Sequence, residues 1–188
     1  MTSAQIALSI VVVLAAAAGG VAVWFFLRRR TLQRTFGPEY DRVVADQDNR
    51  GAAERELLNR ERRHAELDIR PLEPTTRERY ANEWRAAQAK FIEDPAQAVV
   101  SGDRLVTQLV AERGYPTEEY SDQLSYLSVE HARTLGHYRA AHDIYLRAQR
   151  GEASTEELRQ ALVYFRELFA DLLGETPVAA ASHETPER

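Results

Sequence analysis

The chain carries five histidines, eight tyrosines and no cysteine, so thiolate chemistry and disulfides are excluded and any nucleophile would be a Ser or Thr beside a His. Ser125 and Ser128 lie close to His131 in sequence, but nothing in that spacing fixes a geometry, and Ser128 reads better as a helix cap. Glu61-Arg62-Arg63-His64 has the Glu-x-x-His spacing that puts two metal ligands on one helical face in di-iron bundles. That site needs a second such pair and two further glutamates. The chain has no second Glu-x-x-His, and this one sits in a stretch dense with charge, so it reads as an exposed helix. No His-Glu-x-x-His, EF-hand, Walker or dinucleotide glycine pattern occurs. Gly19-Gly20 lies inside an apolar run.

The remaining chemistry-bearing pattern is a stripe. On a helix from about Val129 to Gln149, His131, Tyr138, His142 and Tyr145 fall on one face with Leu135, and His137 points elsewhere. Buried His and Tyr need hydrogen-bond partners, so the stripe is expected to form an interhelical network that fixes packing. A ligand pocket or a pH-responsive contact is the alternative. His131 and His142 stand three turns apart, too far to hold one metal ion.

The elements that must position this stripe begin with an apolar segment. Ile6 to Leu27 is 22 residues long without a charge, reaching about 33 Å as a helix against a bilayer core of about 30 Å. Trp24, Phe25 and Phe26 stand where an aromatic belt belongs, and Arg28, Arg29, Arg30 and Arg34 follow. A membrane span over 6–27 is therefore expected after a stub at 1–5. The basic flank predicts that residues beyond it lie on the cytoplasmic side. The uncharged start and the length of the run argue against a cleaved signal peptide, although Ala15 to Gly20 is rich enough in small residues to keep an exported domain as the alternative.

The balance of charge narrows the partners. The net charge is −5, and past residue 34 there are 20 Lys or Arg against 29 Asp or Glu. The arginine-rich flank suits anionic lipid headgroups. The acidic body is repelled by nucleic acid, which is not expected as a partner.

Beyond the span, prolines and glycines punctuate a helical pattern with no convincing strand. A basic juxtamembrane segment and charged neck at 28–71 includes one long helix from Pro38 to about Leu67, rich in mixed charge and poor in large apolar residues, with Gly51 as a candidate break. It reads as a stalk or one strand of a coiled coil, though the Val43/Val44 and Leu57/Leu58 doublets are too sparse for heptads. A compact bundle of four or five helices at 72–173 follows. Thr75 with Glu78 has capping-box spacing ahead of Tyr80, Trp84, Ala87 and Phe91, which share a face. Pro95 to Arg113 presents Val99, Val106, Leu109 and Val110, with Gly102 placed to let a neighbouring backbone approach. Thr117 is placed to cap a short helix carrying Tyr120, Leu124 and Leu127. Ser154 with Glu157 makes a second capping box before the cleanest amphipathic stripe, Leu158 to Leu172. The tail at 174–188 has a composition typical of disorder. The fold class is all-α.

Phe36-Gly37-Pro38-Glu39-Tyr40-Asp41-Arg42, Arg113-Gly114-Tyr115-Pro116, Tyr138-Arg139-Ala140-Ala141-His142 and the run from Gly151 to Ala161 together resemble an uncharacterised family of small bacterial membrane-anchored proteins typical of actinobacteria. The resemblance implies a single span, a helical domain and a bacterial cell membrane. It carries no activity to transfer.

The expectation for function is a non-enzymatic, membrane-tethered helical interaction or scaffold module at the inner face of the membrane. It would need no cofactor and would have the lipid bilayer and another protein, or a second copy, as partners. The alternatives are a small-ligand-binding or enzymatic bundle using the His/Tyr stripe, and an exported envelope-associated protein.

Overall fold

The computed structural model describes the backbone of residues 3–174 and the side chains from Val13 onward except Leu14. The expected disordered tail lies outside the described residues from position 175 on. Among the described residues there are eight helices and no strand, so the protein is all-α. The chain divides into two compact units at Leu58 and Asn59.

The first unit opens with α1 (Ser3–Phe36), followed by α2 (Pro38–Asp46) and the start of α3 (Arg50–Ala65). From Val13 to Leu27 every described side chain of α1 is exposed, and Val13, Val21, Val23, Trp24, Phe25, Phe26 and Leu27 are each more than half exposed. Among the described residues no helix is long and apolar enough to cross a membrane. The expected span starts at Ile6, and its side chains at 6–12 and 14 lie outside the described residues. Val13 to Leu27 alone falls short of the roughly 20 residues a crossing needs.

The single long neck helix expected from Pro38 to Leu67 is two helices. Pro38 occupies the first turn of α2, which ends at Gln47 in extended conformation. Asn49 then restarts the chain, its Oδ1 accepting from the Ala52 N–H at 2.9 Å. The break thus precedes Gly51, which sits in the first turn of α3. Nor is this stretch simply solvated. Leu32, Phe36, Tyr40, Val43, Ala53 and Leu57 are all buried, and the Tyr40 hydroxyl donates to Glu54 Oε1 at 3.0 Å across α2 and α3.

The second unit holds α4 (Pro74–Lys90), α5 (Pro95–Glu112), α6 (Tyr120–Glu130), α7 (Ala132–Gln149) and α8 (Thr155–Leu173). Helix α5 lies centrally, packing against α4, α7 and α8, while α7 also packs against α6 and α8. Apolar positions recur along α5 and α8 at helical spacing, so each buries one continuous face: Val99, Leu105, Val106, Leu109 and Val110 meet Leu158, Leu162, Phe165, Leu168 and Leu172 in one core. Tyr80, Trp84 and Ala87 add the buried face of α4, and Trp84 stacks on Phe169 with ring centroids 4.6 Å apart. Phe91 is only partly buried. Gly102 permits a close approach, but side chains rather than backbone fill the space: a Cβ there would meet Leu162 Cδ2 at 3.0 Å and Phe165 Cδ2 at 3.5 Å.

The helix ends explain the boundaries. Ser154 and Glu157 form the reciprocal capping box at the start of α8. There the Glu157 carboxyl is held down at about 2 by hydrogen bonds from the Ser154 backbone, Arg147 and the Ser154 hydroxyl. The box expected at Thr75 does not form, because Pro74 takes the first-turn position and puts Thr75 inside α4. Asp94 caps α5 through the Gln97 N–H at 2.9 Å. Thr117 caps nothing: Glu119 is the N-cap of α6, without a side-chain bond. Helix α5 ends in a left-handed turn at Gly114, where the Tyr115 N–H reaches Val110 O and the Gly114 N–H reaches Ala111 O, the Schellman pattern.

Candidate functional site

The predicted stripe is split in two by a break its spacing did not signal. His131 ends α6, donating its N–H to Leu127 O at 2.8 Å, and its carbonyl starts α7 by accepting from the Thr134 and Leu135 N–H groups. Val129 therefore belongs to α6, and His131 stands at the α6–α7 corner instead of on the face of α7.

At that corner His131, 5% exposed, joins a chain of polar side chains. Its Nδ1 lies 2.8 Å from Asp171 Oδ2 on α8. An ionised carboxylate can only accept, so Nδ1 carries the proton and donates it. Asp171 Oδ2 also accepts from the Thr134 hydroxyl at 3.2 Å. On the other side of the ring, Nε2 lies 3.4 Å from the hydroxyl of Tyr115, itself 3% exposed. The Tyr115 hydroxyl donates to Glu130 Oε2 at 3.0 Å, the shorter of its two contacts. Glu130 Oε1 in turn lies 3.8 Å from Nε2 of His64. His64 is therefore largely buried, and the Glu-x-x-His run expected on an exposed face places its histidine against this network. One chain of contacts ties α3, α6, α8 and the loop after α5 together.

The electrostatics follow from burial and pairing. Burial raises the Tyr115 phenol, and the Glu130 charge and hydrogen bond raise it further, so it stays neutral. Burial lowers His64, His131 adds to the lowering, and Glu130 opposes it. Asp171 sits below the ordinary carboxylate range: burial alone would raise it, but the His131 hydrogen bond and charge and the Thr134 hydroxyl outweigh burial.

The other half of the stripe forms a separate cluster. His142 Nδ1 lies 3.2 Å from Asp103 Oδ1 on α5, and its ring stacks on Tyr120 with centroids 4.1 Å apart. Tyr145 and Tyr138 flank it at 5.5 and 6.4 Å. Tyr138, 1% exposed, is pushed up by burial, then by the Asp103 and Tyr120 charges, against hydrogen bonds with Thr107 and Gln123. His137 does point elsewhere, paired with Glu167 and stacked on Tyr164.

Chemically, an Asp–His pair orients an imidazole for base catalysis only if Nε2 faces a reacting group. Here it faces a buried tyrosine that is already bonded to a glutamate. Ser128 is no nucleophile in waiting and no cap either: its Oγ donates back to Ser125 O within α6. Among the described residues no group of three or more His, Asp or Glu side chains is placed to hold a metal ion. What the two clusters do is clamp helices. Sequence reading found His131, Tyr138, His142 and Tyr145 but missed their partners Tyr115, Glu130, Asp171, Asp103 and Tyr120. The only available signal was that a buried His or Tyr must have a partner.

At the other end of the chain, the expected interfacial residues make local contacts along α1. The Arg28 guanidinium lies 4.8 Å from the Trp24 ring centroid and that of Arg30 4.5 Å from the Phe26 ring. Compared with known protein-family models, curated proteins and solved structures, the chain matches none of them.

Proposed function

We propose that this protein is a membrane-tethered helical interaction module, anchored through α1 with its bundle at the inner face of a bacterial membrane. One observation carries the reading. From Val13 to Leu27 every described side chain of α1 is apolar and exposed, and the helix then passes directly into three arginines, of which Arg28 lies over Trp24 and Arg30 over Phe26. A helix apolar on all sides needs apolar surroundings, and aromatic rings beside arginines suit the headgroup zone. Ile6 to Leu27, taken whole, has the length for a crossing.

The bundle supports a binding role over catalysis, because the groups of the His131 and His142 clusters are engaged with one another across helices. Its partner is another protein or a second copy of this chain. The proposal that the chain belongs with the actinobacterial-type membrane-anchored proteins it resembles rests on the four matching runs quoted above.

The orientation is tested by replacing Arg28, Arg29, Arg30 and Arg34 together with Gln. Insertion is expected to survive, since burial of the apolar surface drives it, while orientation loses its determinant. A dual-reporter fusion should report mixed or inverted topology with membrane association retained. A C-terminus that stays uniformly cytoplasmic would mean that charge does not set the orientation. A wild-type bundle reported outside the cell would establish the exported reading instead.

A further inference from the structure

Below the apolar part of α1 the first unit forms a recess of about 360 Å³ lined by Phe25, Phe26, Arg29, Arg50, Gly51 and Glu54. That volume lies within the range of small-ligand sites, roughly 300 to 1,000 Å³. We infer that this recess holds the headgroup of an ethanolamine-type glycerophospholipid, its phosphate on Arg29 and Arg50 and its ammonium on Glu54. The inference rests on the reading of α1 as the membrane anchor.

Four features of the recess select that ligand. Arg29 and Arg50 both bring guanidiniums to the lining, and the Arg29 Nε is not committed to any acceptor within the protein. A phosphate oxygen is the acceptor that guanidinium geometry fits best. Two guanidiniums stand beside one carboxylate, so the wall complements a phosphate and an amine together. A purely anionic headgroup would leave Glu54 facing negative charge. Glu54 is held in place by the Tyr40 hydroxyl on Oε1 at 3.0 Å, which leaves Oε2 to accept. An ethanolamine ammonium can donate to it, whereas a choline has no N–H to give. Finally, Phe25 and Phe26, each 53% exposed, offer apolar surface for the glycerol and first acyl carbons at the depth where headgroups begin.

Trp24 stands next to Phe25 and reports on the site. The full chain is reconstituted in phosphatidylcholine vesicles in which an equal mole fraction of lipid with brominated acyl chains is phosphatidylethanolamine, phosphatidylglycerol or phosphatidylcholine. A Trp24→Phe variant supplies the blank for Trp84. The expected result is quenching of Trp24 several-fold stronger with the brominated phosphatidylethanolamine than with the other two. Arg29→Gln/Arg50→Gln and Glu54→Gln should each return it to the level of phosphatidylcholine. Excess free O-phosphoethanolamine should leave the quenching unchanged, because it lacks the part held by Phe25 and Phe26. Equal quenching by all three lipids would overturn the site, and preference for phosphatidylglycerol would reduce it to a general basic belt. Full competition by the free phosphoamine would replace the lipid as ligand. Absence of quenching by any lipid would place Trp24 outside the bilayer, and the anchor reading itself would then fall.

Discussion

Gly114→Ala is expected to destabilise the protein by about 3 kcal/mol or more, from backbone strain plus overpacking against a rigid atom. Gly114 holds φ at +97°, where a Cβ is disfavoured, and that Cβ would stand 2.5 Å from the Asp68 carbonyl oxygen. A main-chain oxygen cannot swing aside as a side-chain tip can. Asp68 is itself fixed nearby, since the Arg70 N–H donates to Arg113 O at 2.9 Å and ties this segment to the end of α5. The strain would also loosen Tyr115, the next residue, and with it the His131 network. Against a total stability of about 5–15 kcal/mol the loss is large. Gly136→Ala is the counterpart within the same unit. It lies on an exposed face of α7 with nothing within 4 Å of its missing Cβ, so the same substitution should be neutral or stabilise by up to about 1 kcal/mol. Thermal unfolding of the full chain in mild detergent, followed by helical circular dichroism, compares the two. Equal effects would contradict the geometry described for Gly114.

Asp171→Ala is expected to cost about 2–3 kcal/mol, because it strands the buried donor His131 Nδ1–H, whereas the Thr134 hydroxyl keeps the His131 carbonyl at 3.1 Å as its acceptor. Asp171→Asn keeps an acceptor and should cost about 1–2 kcal/mol. The pH dependence separates this group from its neighbours. The folded-state value of Asp171 lies below the ordinary 3.8, so its contribution is present above pH 3.8 and is lost as pH falls through the lower, folded value. His64 is also lowered, from 6.5, but for a base the consequence begins at the unfolded value. Below pH 6.5 the unfolded chain takes up a proton that the folded chain resists, and stability falls until the folded value is passed. Acidification should therefore weaken the wild type in two stages, first through His64 and then through the lowered carboxylates Asp171 and Glu157. Asp171→Asn should retain the first stage and show a shallower second one. An unchanged second stage in Asp171→Asn would remove this carboxylate from the account.

The parts of this fold that were legible from sequence are those set by local pattern. The α8 stripe from Leu158 to Leu172 and its Ser154/Glu157 box were readable because apolar period and capping chemistry lie within one or two turns of each other. The face of α4 was readable for the same reason, yet its start was not, because Pro74 outranks Thr75 for the first turn. The stretch from Pro38 to Leu67, expected as one long charged helix, is two. Four widely spaced residues, Tyr40, Val43, Ala53 and Leu57, bury its inner face, and Ala53 is too small to register as core in a pattern. The break at His131 carries no Gly or Pro, since α7 restarts on the carbonyl of the residue that ends α6. The partners of the stripe were beyond reach because His131 and Asp171 are 40 residues apart, and His142 and Asp103 are 39 apart. Only the packing of α5, α7 and α8 brings them together.

The tether is the claim on which both the proposed role and the lipid site depend. Alkaline carbonate washing of membranes from cells expressing the full chain tests it most directly, because that treatment strips proteins held by charge or by other proteins and leaves spanning helices in place. An anchored α1 predicts that the chain stays with the membrane pellet through the wash and is released only by detergent. Release of the chain into the carbonate supernatant would contradict a membrane-spanning anchor and would require another cover for the exposed apolar surface of α1.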